Sequence, residues 1–130
     1  MNCAEAEMPV AIRALMMGQD VVFMVTGGRA HIGASATAYI TEDRTVHTDV
    51  LSISGHREGE LAIELAMTAA LTLGRTVAVL VGIHLDQPSK LDIEQIVAEA
   101  RRKMRLVLDQ WMDPNEIIDT GSFFNPNVKS

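Results

Sequence analysis

The sequence predicts an α+β protein with a mostly antiparallel sheet and two main helices, in the order β-β-β-β-α-β-α. Three observations predict this class. The first half of the chain is β-branched and alternates apolar and polar residues, the pattern of strands. After residue 55 the polar residues recur at a helical spacing, and a short, fully apolar strand then separates two helical segments. Strands followed by helices are typical of an α+β fold.

Length and composition predict one domain without a nucleic-acid partner. The chain has 130 residues, 48% of them apolar and 22% charged. We expect a single domain over 1–130, with a core at about 9–112 and a C-terminal tail at 113–130. The net charge of −6 argues against a protein that binds a phosphate backbone.

The terminal and cysteine patterns predict a cytoplasmic protein. Cys3 is the single cysteine, so an intrachain disulfide and a multi-cysteine zinc site are excluded. Glu5 and Glu7 stand where a secretory signal needs basic residues. The longest apolar run, Val77–Ile83, is far below the ~20 residues of a membrane span, so no membrane partner is expected.

Four strands are predicted before the first helix. Pro9–Met17 and Val21–Thr26 form a hairpin, and His31–Ile40 and Val46–Ile53 form a second antiparallel pair. One face of the third strand is rich in alanine, which suits close approach of a helix. That face consists of Ile32, Ala34, Ala36, Ala38 and Ile40.

The first helix is predicted over Gly55–Leu73 and is almost entirely apolar. Its polar residues form one narrow stripe, namely Glu60, Glu64, Thr68 and Thr72. Most of its circumference should therefore be buried, which predicts self-association, as a dimer. Gly74 is the expected left-handed C-cap.

A central strand and a second helix complete the predicted core. Thr76–Ile83 is apolar on both faces, as in a strand in the middle of a sheet. Ser89 and Asp92 resemble a capping box that opens the second helix, and Asp113-Pro114 ends it. Its apolar face is Ile93, Ile96, Val97, Ala100, Met104, Val107, Leu108 and Trp111.

Three histidines are predicted to gather at one end of the sheet. If Ile40 pairs with Val46, the hairpin register places His31 opposite Gly55, beside His56. If the central strand runs antiparallel beside the His31 strand, His84 also arrives there. The charged residues near this cluster are Arg29, Arg57, Glu58 and Asp86.

The cluster can be interpreted as a metal site or as an anion site. Imidazoles suit zinc, iron or nickel, although no metal-ligand spacing such as H-E-x-x-H occurs. For an anion, Gly27-Gly28 allows close backbone approach, and a helix that opens at Gly55 offers unpaired N–H groups. Arg29 and Arg57 add permanent charge. These parts favour a small phosphorylated ligand.

No catalytic residue is predicted. Gly28-x-x-x-x-Gly33 has a P-loop spacing, but Ala34 replaces the required Lys and a strand follows it. A G-x-S-x-G motif is absent from the sequence, and Cys3 has no neighbouring base. Glu58, next to the cluster, is equally consistent with a helix-capping role.

Three sequence blocks resemble the prenylated-flavin chaperone family. They are Gly27-Gly28-Arg29-Ala30-His31-Ile32-Gly33-Ala34, Ser54-Gly55-His56-Arg57-Glu58-Gly59-Glu60 and Gly82-Ile83-His84-Leu85-Asp86. These proteins are the small D-type subunits that accompany gallate- and vanillate-type decarboxylases. The resemblance spans roughly Asp20 to Leu108, with the blocks in matching order and spacing.

The resemblance implies a fold related to proteasome-assembly chaperones and a carrier function. It implies binding of reduced prenylated flavin mononucleotide (prenylated FMN), its protection, and its delivery to a UbiD-type decarboxylase, with a flavin prenyltransferase as a further partner. The expected ligand-binding residues are Gly27, Gly28, Arg29, His31, Gly55, His56, Arg57, Glu58, His84 and Asp86.

Two other functions remain open at this point. The histidines could serve a small enzyme, with or without a metal. Alternatively, the chain could be a pure assembly protein that docks through the apolar first helix and through Phe123 and Phe124 of the tail.

Overall fold

A computed structural model describes residues 10–53 and 58–111. The elements follow the predicted order and confirm the α+β class. They are β1 (Val10–Met17), β2 (Asp20–Gly28), β3 (Ala34–Ile40), β4 (Val46–Ser52), α1 (Gly59–Leu73), β5 (Val77–His84) and α2 (Lys90–Asp109). Cys3, Phe123 and Phe124 lie outside the described residues.

The five described strands form one mixed sheet in the order β1-β2-β5-β3-β4. β5 runs parallel to β2 and antiparallel to β3, and the two hairpins are antiparallel. The sheet is therefore mostly antiparallel, as predicted. The Val77, Val79 and Val81 side chains are fully buried, which confirms β5 as a central strand.

The predicted register of the second hairpin is confirmed. Ile40 pairs with Val46, and the pairing continues without interruption to Ala34 opposite Ser52. The β3 strand starts at Ala34 and not at His31, because the preceding residues leave the strand direction to cross the end of β5. Gly33 nevertheless keeps a backbone hydrogen bond to β5, from its N–H to the Val81 carbonyl at 2.9 Å.

Both helices pack on the same face of the sheet. α1 lies over β3, β4 and β5, whereas α2 contacts β1. The small side chains of β3 allow α1 to approach closely, so Ala34, Ala36 and Ala38 are buried beneath it. This confirms the predicted role of the alanine-rich face, except that Ile32 is exposed.

The apolar circumference of α1 is covered largely within the chain. Its Leu61, Leu65 and alanine side chains face the sheet, and its polar stripe meets α2. There Arg101 donates two hydrogen bonds to the Glu64 carboxylate, at 2.6 and 2.9 Å. The composition of α1 therefore does not by itself require a second subunit.

Two of the four helix ends agree with the sequence prediction. Gly74 adopts φ 67° and caps α1, and Ser89 and Asp92 form the predicted capping box of α2. The start of α1 was predicted wrongly, because the helix begins at Gly59 with Glu58 as N-cap, and not at Gly55. α2 ends at Asp109 with Gln110 as C-cap, before the predicted end at Asp113-Pro114. Neither described helix is long and apolar enough to cross a membrane.

We predict that Ala36→Leu destabilises the protein by about 1–3 kcal/mol, because the larger side chain has no space between β3 and α1. Thr37→Leu is the matched control, since Thr37 is exposed on the opposite face of the same strand. Urea unfolding measures both changes. Equal free energies of unfolding for the two variants would contradict this packing.

Candidate functional site

The connection between β2 and β3 crosses the carboxyl end of β5 at very short range. Gly28 has φ 61°, and the Arg29 N–H bonds the His84 carbonyl at 3.3 Å. A Cβ atom on Gly82 would lie 1.2 Å from the His31 carbonyl oxygen, so only glycine fits there. This backbone contact fixes the position of His31 over β5.

The crossing brings His31 and His84 together. Their ring centroids are 5.9 Å apart, and the rings meet edge to face at 70°. The β3–β5 register explains the pairing, because Ala34 lies opposite Val81 and three more residues on each side lead to His31 and His84. The predicted convergence of these two histidines is confirmed.

Glu58, at the start of α1, lies beside the histidine pair. Its side chain is 11% exposed, and Oε2 lies 3.9 Å from Nε2 of His31. The same oxygen accepts a hydrogen bond from the Ile83 N–H at 3.3 Å. Glu58 occupies the N-cap position of α1, but its side chain makes no capping hydrogen bond and faces the histidine pair instead.

Arg29 and Asp86 lie on the solvent-exposed side of the histidine pair, at the same end of the sheet. Their side chains, about 80% exposed, form an ion pair of 3.2 Å. Asp86 also lies 3.4 Å from Nε2 of His84. The histidine pair therefore lies between the partly buried Glu58 carboxylate and the exposed Asp86 carboxylate. Asp86 also pairs with the Arg29 guanidinium.

We call His31, Glu58, His84, Arg29 and Asp86 the histidine cluster. Its groups can donate and accept hydrogen bonds, and the imidazoles of His31 and His84 have carboxylates at 3.9 and 3.4 Å. An anionic ligand would compete with Asp86 for the Arg29 guanidinium. Exposed ion pairs are weak, about 0–1 kcal/mol, so this exchange costs little.

The structure accounts for the other predicted residues in different ways. Gly27 and Gly28 end β2, and a Cβ atom on Gly28 would lie 1.9 Å from the His84 carbonyl oxygen. Protein packing alone thus explains Gly28. Gly55, His56 and Arg57 lie outside the described residues. Within the described part of the chain, no group of three or more His, Cys, Asp or Glu residues has the geometry of a metal site.

Two glycines that shape the cluster, Gly33 and Gly82, are not among the predicted site residues. Gly82 permits the β2–β3 connection to cross β5. Gly33 leaves room for the Glu58 carboxylate, because a Cβ atom on Gly33 would lie 2.6 Å from the carboxylate oxygens. A glycine inside an apolar strand such as β5 signals a close backbone approach. That signal identifies Gly82, but it does not say which segment approaches.

A cavity of about 560 Å³ lies at the opposite end of the sheet. Its lining includes Gln19, Asp20 and Arg75 and the apolar side chains of Met16 and Leu73. The Arg75 guanidinium donates to the Gln19 carbonyl and so holds the β1–β2 turn. We place the functional site at the histidine cluster because titratable side chains converge there, and volume alone does not select a ligand.

A comparison with known families identifies the chain. The family described as "Prenylated flavin chaperone LpdD-like domain" matches residues 4–112. The chain belongs to this family. The match covers every described element and both sides of the histidine cluster. A comparison with curated proteins finds none that matches the chain.

The donor set of the cluster fits the chemistry of a prenylated flavin. Such a ligand combines a planar ring system, with carbonyl and ring-nitrogen acceptors, and an anionic phosphate. Imidazoles can hydrogen bond to the ring or stack on it. The planar guanidinium of Arg29 can donate two parallel hydrogen bonds to a phosphate. The edge-to-face histidine pair could therefore hold the ring, and the exposed guanidinium could hold the phosphate.

We predict that Gly82→Ala displaces the β2–β3 connection and separates His31 from His84. Because backbone must move to relieve a 1.2 Å contact, the free energy of unfolding should fall by more than about 2 kcal/mol. Ala78→Ser adds one heavy atom on the same face of β5 and is the control. Thermal unfolding and histidine NMR resonances measure both effects; unchanged resonances in Gly82→Ala would contradict the crossing.

Proposed function

We propose that this protein binds reduced prenylated FMN at the histidine cluster and delivers it to a UbiD-type decarboxylase. The observation that carries the proposal is the pairing of His31 and His84, 5.9 Å apart, in a chain of the prenylated flavin chaperone family. A flavin prenyltransferase is the proposed source of the ligand.

Glu58 supports the proposal by controlling His31. The partly buried Glu58 carboxylate lies 3.9 Å from Nε2 of His31 and limits the rotation of the imidazole. Its second contact, to the Ile83 N–H, holds the carboxylate itself in place. We propose that Glu58 is a positioning residue, which presents a fixed donor at His31 to the electron-rich ring of a reduced flavin.

Arg29 is the proposed phosphate ligand among the described residues. Its side chain is 79% exposed, and its partner Asp86 is equally accessible, so a phosphate can reach the guanidinium without displacing the core. His56 and Arg57 follow β4 in the sequence, and we keep them as proposed ligands together with Gly55. The helix start at Gly59 also leaves backbone N–H groups close to Glu58.

The exposure of the cluster favours a carrier over an enzyme. The His84 side chain is 41% exposed and Arg29 more so, which leaves the proposed ligand accessible to a partner protein. An enzyme that performs chemistry on the flavin would benefit from excluding water. We therefore propose that the accessible side of the cluster faces the decarboxylase during transfer.

We predict that His31→Ala and Arg29→Ala each weaken binding of reduced prenylated FMN by about tenfold or more. The reason is that a hydrogen bond to a charged group contributes about 1.5–3 kcal/mol. Anaerobic fluorescence titration measures the dissociation constants. His56→Ala and Arg57→Ala should behave in the same way, because both belong to the proposed site.

Two control variants locate the ligand. Glu64→Ala removes a carboxylate two turns along α1 and should leave binding unchanged, and Arg75→Ala changes the cavity at the opposite end of the sheet. If Arg75→Ala alone lost the ligand, the binding site would be that cavity. Wild-type affinity in all the histidine-cluster variants would reject the proposed site.

A further inference from the structure

β4 is an exposed edge of the sheet with the composition of a strand that pairs. Among the described strands it contacts β3 on one side and none on the other. It carries neither Lys nor Pro, and its pairing with β3 runs without a bulge. Val50 and Leu51 are 40% and 66% exposed. Sheet edges are usually protected by Lys, Pro, bulges or several charges, and Asp49 is the one Asp, Glu, Lys or Arg residue within β4.

The backbone of β4 has its free hydrogen-bonding groups at alternate residues. Ile53 donates to the Gly33 carbonyl at 2.8 Å, and Thr45 accepts from the Thr41 N–H at 2.9 Å. In an antiparallel ladder the groups that face the partner strand alternate. The N–H and C=O groups of Val46, Thr48, Val50 and Ser52 therefore point away from β3, out of the sheet edge.

We infer that β4 pairs antiparallel with β4 of a second copy of this chain, across a two-fold axis at Thr48. This arrangement joins the two five-stranded sheets into one. It makes Thr48 of each copy a hydrogen-bonded pair and places Val46 opposite Val50 in two further pairs. The inference concerns a surface separate from the histidine cluster and does not depend on the proposed function.

Charge complementarity selects this register. His47 and Asp49 lie on the face of the sheet away from the helices, two residues apart on β4. With the axis at Thr48, each His47 stands opposite Asp49 of the other copy, in the non-hydrogen-bonded pairs whose side chains are closest. A shift of two residues along the partner strand places Asp49 opposite Asp49, or His47 opposite His47. Such like pairs disfavour both alternatives.

Two further observations on β4 support the same arrangement. The His47 ring stacks on Tyr39 of β3, at 5.4 Å and 18°, which keeps His47 on the open face. The Thr48 hydroxyl has no hydrogen-bond partner among the described residues. The two-fold axis would bring a second Thr48 beside it, and threonine pairs on adjacent strands can hydrogen bond.

The test compares the full-length chain with His47→Asp, Asp49→His and the double variant by sedimentation equilibrium. The wild type should be a dimer at micromolar concentration. Each single variant creates two like-charge or histidine–histidine pairs and should raise the dimer dissociation constant by about tenfold. The double variant exchanges the two residues, restores both opposite pairs, and should return to within about threefold of wild type.

These substitutions are at solvent-facing positions of β4, so circular dichroism should report the same fold in all four proteins. A monomeric wild type would overturn the inference, whether residues 112–130 or solvent cover the edge. A dimer whose dissociation constant is equal in all four proteins would also overturn it. Flavin binding is measured separately, and because β4 residues 47–49 lie away from the histidine cluster, either proposal can fail alone.

Discussion

β5 enters the sheet between β2 and β3, and every contact of the histidine cluster depends on this insertion. Its parallel pairing with β2 brings Gly28 against the His84 carbonyl, and its antiparallel pairing with β3 aligns His31 with His84. The contact between the His31 carbonyl and Gly82 then closes the connection over the strand. The pairing of β5 with a strand on each side, and the burial of Val77, Val79 and Val81, thus position a polar site at the end of this strand.

The site has a partly buried side, formed by Glu58, and a solvent-exposed rim, formed by Arg29 and Asp86. Glu58 is held against β5 by the Ile83 N–H and fixes His31 from inside, whereas Arg29 and Asp86 face solvent. A carrier needs this combination, because the ligand must be oriented while bound and still be accessible to the protein that receives it. The open β4 edge lies on a different side and leaves that rim free.

The sequence predicted the architecture better than the site. Period-two alternation and the β-branched runs identified all five strands, and Ile40 opposite Val46 set the hairpin register correctly. Two features needed tertiary information. The position of the Glu58 carboxylate depends on space that Gly33 provides, and the polar stripe of α1 is paired with Arg101 of α2. Local patterns contain no information about such long-range contacts, and the close approach at Gly82 was not predicted.

Native mass spectrometry of the chain co-expressed with a flavin prenyltransferase tests the central claim most directly. Wild-type protein, purified without oxygen, should retain one mass equal to that of prenylated FMN per chain. A folded variant with both His31→Ala and His84→Ala should be purified without the prenylated FMN mass. A wild type that carries no flavin mass, or a double variant that retains it equally, would contradict the account.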